Sequence, residues 1–212
     1  MPDAVTPRTL TDYWRWYCAE FDRTRAAISD RDLERLYAEL ERVRQEGRQL
    51  FVLGNGGSAA TAAHWVCDFG KGAAVPGQLR FRVHSCAGEL PWLTALANDV
   101  SYDASLAEQL LNWIRSGDMV VALSVSGDSE NLVQAGLVAR RAQALFVAIV
   151  GARRGRLAEL ADFTLVLPST DYGVVEDLHL TLNHAFTQFI RGDLVDRAEA
   201  ALRDQTNGVR GQ

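Results

Sequence analysis

Five short apolar runs constrain this chain more than any other feature. QLFVLG (49–54), RFRVHS (80–85), MVVALSV (119–125), LFVAIVG (145–151) and FTLVLP (163–168) are short, apolar and rich in β-branched residues. Helix-like segments lie between them, near 58–69, 89–97, 103–115, 128–142 and 155–161. Near-continuous apolar strands alternating with helices predict a mainly parallel sheet covered on both faces. The expected fold class is therefore α/β: a three-layer sandwich around a five-stranded, mainly parallel, doubly wound sheet. Ahead of the first strand, residues 9–46 read as a helical pair. Trp14, Cys18 and Phe21 recur at helical spacing, as do Leu33, Leu36, Leu40 and Val43. Ser29-Asp30 forms the break and cap between the two helices. A last helix is expected over 174–203, followed by a frayed tail, DQTNGVRGQ, over 204–212.

The bulk composition narrows the partners. A length of 212 residues suits one domain with an appended helical piece. A formal net charge of −5 with no long basic run argues against a duplex nucleic-acid surface. The three cysteines have no C-x-x-C spacing, so neither a zinc ribbon nor a disulfide framework is indicated, and free thiols suit a reducing cytoplasm. The N-terminal MPDAVTPRTLTDYW has no apolar h-region, and no apolar run reaches membrane-spanning length.

In doubly wound sheets, ligands sit beyond the carboxyl ends of the strands. Two strands end there in similar chemistry: Gly54-Asn55-Gly56-Gly57-Ser58 and Ser124-Val125-Ser126-Gly127-Asp128-Ser129. Glycines let backbone N–H groups approach a ligand, a following helix N-terminus favours an anion, and serine hydroxyls add donors without bulk. Such loops also turn the chain in proteins with no ligand there. Together, the two could hold a phosphate and a row of sugar hydroxyls. Neither is a P-loop, and GNGGSA (54–59) is not the dinucleotide G-x-G-x-x-G pattern.

His64 and Asp68 are four apart on a predicted helix and share a face. Glu176 and His184 are eight apart on the last helix, roughly 80° apart around its axis. Leu178, Leu182, Ala185 and Phe189 fall on the opposite side, the expected core face. Glu176, Asn183, His184, Thr187 and Arg191 form a polar stripe. Two helices each offering a carboxylate and an imidazole could bind zinc or supply an acid and a base. A solvated stripe with a satisfied core histidine fits the same spacing. His84 and His179 have no such partners and read as structural.

NGGSAATAAHWVCDF, LTALANDVSYD (93–103), LSVSGDSENLVQA (123–135) and VEDLHLTLNH (175–184) resemble the phosphoheptose isomerases of the sugar isomerase (SIS) domain superfamily. The blocks occur in the family's order and cover most of residues 50–190. The resemblance implies a flavodoxin-like SIS fold over 48–203, with helices over 1–47 packing on the same domain and on an oligomer interface. It also implies a cytoplasmic homotetramer with active sites between subunits. The implied activity is isomerisation of sedoheptulose 7-phosphate to a heptose 7-phosphate, with zinc as the cofactor and no organic one. By resemblance, Ser58, Ser124, Ser126 and Ser129 hold the phosphate, and Gly56 and Gly57 form part of the cradle. Asn55, Asn98 and Asp99 line the sugar pocket. His64 is a metal ligand, and His184 is both catalytic and a ligand.

The chain departs from the family at three of these positions. It has Asp68 where glutamate is usual, Glu176 where glutamine is usual and Val125 where threonine is usual. The expectation is that metal and base roles are shared between Asp68 and Glu176. The metal set is then His64, Asp68, Glu176 and His184, with Asp68, Glu176 and His184 catalytic. The lost hydroxyl at Val125 raises a related sugar phosphate as an alternative substrate. Some SIS tetramers similar to these enzymes are non-catalytic adaptors for a replication-initiation protein. Such an adaptor has no need of the carboxylate/imidazole quartet.

Overall fold

Two hydroxyl caps start the helical pair. Thr9 Oγ1 accepts from the Asp12 N–H at 3.1 Å, and Ser29 Oγ accepts from the Asp32 N–H at 3.3 Å. They open α1 (Leu10–Ala26) and α2 (Asp30–Gln45), so the break falls at Ser29-Asp30 as expected. A computed structural model describes residues 9–210, without side-chain detail at 201, 202 and 204–210. The expected tail at 204–212 continues as helix to Arg210, and Gly211 and Gln212 lie outside the described residues.

All five strands form where the apolar runs predict them: β1 (Gln49–Leu53), β2 (Arg82–His84), β3 (Met119–Ser124), β4 (Leu145–Val150) and β5 (Phe163–Val166). Their order is β2-β1-β3-β4-β5, and every pair is parallel. Alternate residues of each strand enter opposite cores. Leu50, Val52, Val121 and Leu123 join α2, α3 (Gly56–Cys67) and α8 (Tyr172–Arg210). Phe51, Leu53, Val120 and Ala122 join α5 (Ser105–Leu111), α6 (Glu130–Arg141) and α7 (Gly155–Leu160). Burial of both faces is why these runs do not alternate in polarity. Two carboxylates fix the strand starts. Asp118 accepts from the N–H groups of Gln49 and Arg115, both at 2.8 Å, and Asp162 accepts from the Phe146 N–H at 2.9 Å.

The helices show three differences from expectation. The segment at 103–115 is helical only over Ser105–Leu111. The N–H groups of Trp113 and Ile114 then both turn back to the Leu110 carbonyl. Between β2 and α5, α4 (Leu90–Asp99) has no buried residue. The core face of α8 is Val174, Val175, Leu178, Leu182, Phe186, Ile190 and Leu194. Ala185 and Phe189 are exposed, and Phe189 meets the Tyr37 ring edge-on at 5.2 Å. Asn183 and Thr187, expected on the wet stripe, are buried. The reason is that α8 packs on both the sheet and α3, so its covered arc is wider than one helix face.

His179 lies in that arc as a fully buried structural group, with Nε2 at 3.1 Å from the Ile149 carbonyl and Nδ1 without a partner. Burial pushes its pKa down from the ordinary 6.5 to about 4. The folded state therefore holds the neutral ring, while the unfolded chain binds a proton below pH 6.5. The stabilisation is complete above that pH and is lost as pH falls through the window toward 4, by of order 3 kcal/mol. Urea denaturation at pH 7.5 and pH 4.5 is expected to show this extra loss. In His179→Gln, whose amide can still donate to Ile149, that part of the pH dependence should disappear.

Candidate active site

The turn after β1 is shaped by contacts that only glycine permits. A Cβ on Gly54 would lie 2.5 Å from the Ser58 backbone, and Gly56 has φ +53°. A Cβ on Gly57 would collide with the Glu176 carboxylate, which reaches over the turn from α8. Ser58 Oγ donates to Glu176 Oε1 at 3.5 Å. Asn55 exchanges two amide hydrogen bonds with buried Asn131 of α6, both at 2.8 Å, and accepts a third from the Tyr102 hydroxyl at 2.8 Å. The two strand-end loops are thus linked directly.

The loop after β3 is held by its own serines. Ser124 Oγ accepts from the Gly127 N–H at 3.0 Å, and Ser126 Oγ from the Asp128 N–H at 3.3 Å. Gly127 has φ +75° and packs its Cα against the Arg154 carbonyl, while its own carbonyl accepts from the Leu157 N–H at 2.9 Å. Ser129 caps α6 by position, with its hydroxyl unused by the backbone. Asp128 and Glu130 put negative charge at this helix start. Arg156 answers it, with Nη1 at 2.8 Å from Glu130 and Nη2 at 2.8 Å from the Asp128 carbonyl. The Gln134 amide and then Arg156 hold the Glu130 carboxyl below its usual range. Val125 is buried in the core, and Ser58 and Ser124 are buried as well.

Further along α3 the helix widens into a π-helical turn over Asp68–Gly72. Such turns recur at functional sites. Asp68 Oδ2 lies 3.3 Å from His64 Nε2 and 3.6 Å from His184 Nε2, and the two imidazole nitrogens are 3.2 Å apart. Asn183 Nδ2 donates to the same oxygen at 2.7 Å. The three ligand atoms of His64, Asp68 and His184 all lie within 4.8 Å of one another. Two imidazoles and a carboxylate, half-exposed and convergent, suit a divalent metal such as zinc with an open position.

The expected quartet is therefore divided. Glu176 is about 12 Å of helix rise from His184 and lies over Gly57, outside this three-residue group. Asn98 donates to Asp99 at 2.7 Å at the exposed end of α4, and no hydrogen bond among the described residues ties the pair to the loops. His84 stacks between Phe51 and Trp113, away from the site. Asn131, Tyr102, Asn183 and Arg156 were not singled out as site residues. The first three stand inside the quoted motif blocks, where a polar residue next to an expected ligand was the available signal. Arg156 carried none, because its pairing spans loops 26 residues apart.

The SIS domain family matches residues 17–151. The phosphoheptose isomerase of Mycobacterium tuberculosis is 35% identical over 144 residues, covering 68% of this chain and 73% of that protein. The probable phosphoheptose isomerase of Thermoplasma acidophilum is 29% identical over 174 residues, covering 82% and 95%. The solved phosphoheptose isomerase of Neisseria gonorrhoeae superposes with a TM-score of 0.79 over 87% of this chain and 100% of that one; at 24% identity this is a likeness of fold.

Gly127→Ala is expected to strain the second loop in two ways. It forces a side chain into positive φ, worth about 1–3 kcal/mol, and it drives a Cβ into the Arg154 carbonyl. Gly77, with φ +79° and open space around it, controls for the first effect. Denaturant unfolding should show Gly127→Ala clearly less stable than Gly77→Ala. Equal losses would mean that the two loops are not locked together.

Proposed function

The chain belongs to the SIS domain family and, within it, to the phosphoheptose isomerases, and we propose that it interconverts an open-chain ketose phosphate and its aldose. Sedoheptulose 7-phosphate and a heptose 7-phosphate are the pair its relatives suggest. One observation carries the reading. Along the seam between α3 and α8, Ser58 faces Glu176 and, further on, His64 and Asp68 face His184. Acid–base groups therefore line the seam beginning at a glycine-serine turn, beside a second serine loop.

Electrostatics assigns the halves of the substrate. A carboxylate beside Ser58 repels a phosphate, so the phosphate goes to the Ser124–Ser129 loop and the N-terminus of α6. Arg156 supplies a cation there and offsets one of the two acidic residues, Glu130, at 2.8 Å. The sugar then extends toward Glu176, with Asn55, Gly56, Gly57 and Ser58 beneath it. Asn98 and Asp99 are kept as sugar-pocket residues on the resemblance of their block alone. A carboxylate removes a proton from the carbon beside the carbonyl. The electrons move into the carbonyl as an enediolate forms, and the proton is delivered to the neighbouring carbon. Proton removal and stabilisation of the oxygen act on neighbouring atoms, so base and acid must stand close together. Asp68 Oδ2, 3.6 Å from His184 Nε2, meets that condition, whereas Glu176, about two helical turns from His184, is placed to hold sugar hydroxyls at the Ser58 end of the seam. A divalent cation such as zinc, held by His64, Asp68 and His184, would supply a Lewis acid for the developing oxyanion.

The same reading includes a cytoplasmic homotetramer with clefts between subunits, the helices over 1–47 contributing to the contact. In support, Thr24 is the one buried residue of α1, α4 has none, and Trp14 and Leu90 are 64% and 65% exposed. Among the described residues no helix is long and apolar enough to cross a membrane.

Incubation with sedoheptulose 7-phosphate in D₂O, with and without zinc, tests the proposal. Deuterium at C1 and C2 together with a new aldose signal is the expected outcome. Exchange without that aldose would point to a related sugar phosphate. No exchange across a panel of ketose phosphates would favour the adaptor. Asp68→Asn should lower kcat by about 10²–10⁴-fold and weaken zinc binding, whereas Glu176→Gln should act mainly on KM with zinc affinity unchanged. Full activity in both variants would overturn the assignment.

A further inference from the structure

Asn183 is fully buried on α8, one residue before His184. Its Nδ2 donates to Asp68 Oδ2 at 2.7 Å, and its Oδ1 is buried without a partner. The amide orientation is settled by chemistry, since the reverse would press a carbonyl oxygen on a carboxylate. A buried orphan carbonyl is a standing cost that a leucine of similar volume would not carry. What the amide provides in return is a donor to the one oxygen that also faces His64 and His184.

Asp68 needs that donor for geometric reasons. It has a short side chain, it begins a widened helical turn, and its side chain is 23% exposed. Left alone, its carboxylate can rotate away toward water. The two histidines are themselves half-exposed and come from different helices, so neither can hold it.

We infer that Asn183 is a positioning residue that aims Asp68 Oδ2 at His64 and His184, and so sets the affinity of this group for a divalent cation and its competence in the reaction. The catalytic half rests on the isomerase reading above; the cation half does not. Partners of this outer kind typically change metal affinity or activity by about 10–100-fold.

The test compares wild type, Asn183→Leu, Asp68→Glu and the double variant. Zinc affinity is read by competition with a chromophoric chelator, kcat with the ketose phosphate and stability by thermal melting. Asn183→Leu is expected to weaken zinc by about 10–100-fold, with kcat falling and the melting temperature little changed. In the double variant the longer carboxylate no longer depends on the amide. Its loss of zinc affinity should therefore be smaller than the product of the two single losses. A lower melting temperature with zinc affinity and kcat unchanged would make Asn183 merely structural and overturn the inference, as would strictly independent losses. If Asn183→Leu does not fold, Asn183→Ser, too short to reach Asp68, gives the same reading. A wild type inactive on every ketose phosphate overturns the isomerase reading, while the zinc affinities still decide the role of Asn183.

Discussion

A buried hydrogen bond in the core holds the candidate site together. The Trp65 indole N–H of α3 donates to the His179 carbonyl of α8 at 3.1 Å, and the His179 ring in turn meets the Ile149 carbonyl of β4. Both side chains are fully buried. This links two helices and the sheet in one chain of contacts. Trp65 follows His64, and His179 stands between Glu176 and His184. The outward-facing residues of the seam are thereby placed by inward-facing neighbours. Apolar packing of Val174, Leu178 and Leu182 against the sheet supplies the bulk of the attraction. The polar contacts fix the register between α3 and α8.

The two loops solve a different problem, that of holding backbone donors open without collapse. Ser124 and Ser126 hydroxyls close the second turn internally, Ser58 ties the first to Glu176, the Asn55–Asn131 amide pair bridges the loops, and Gly127 lets the β4–α7 segment approach. Arg156 then offsets one of the two negative charges that Asp128 and Glu130 set against an anion, through its 2.8 Å contact to Glu130. The result is two open turns side by side at the carboxyl ends of β1 and β3, of which the second has a cation beside it. The seam then runs from Glu176 at the Ser58 turn to the His64, Asp68 and His184 group.

The fold was legible because its main signals are local. Strands buried on both faces write themselves as apolar runs, and caps such as Ser29 stand beside the helices they start. The strand-end rule also selected the two loops that the Asn55–Asn131 amide pair joins. What sequence reasoning missed depends on contacts distant in the chain. Glu176 shares a helix with His184, yet it reaches Gly57, because α3 and α8 run alongside one another. Phe189 was placed in the core and Asn183 in solvent because a single core face was assumed for a helix that touches two neighbours. Arg156 offers no local signal at all. Spacing along one helix identifies candidate groups, but only the packing between helices divides them into a cation group and a separate carboxylate.

The unsatisfied atoms beneath the site complete this picture. Nδ1 of His179 and Oδ1 of Asn183 are both buried on α8 and both lack partners. Each belongs to a side chain whose other end is essential to the seam, one bonding to β4 and the other to Asp68. Burying either atom without a partner costs about 1–3 kcal/mol, and apolar residues would avoid that cost. Natural sequences break local rules mainly where function requires it. Here one such break, at Asn183, sits directly behind Asp68, and the fold's stability is reduced where that carboxylate must be aimed.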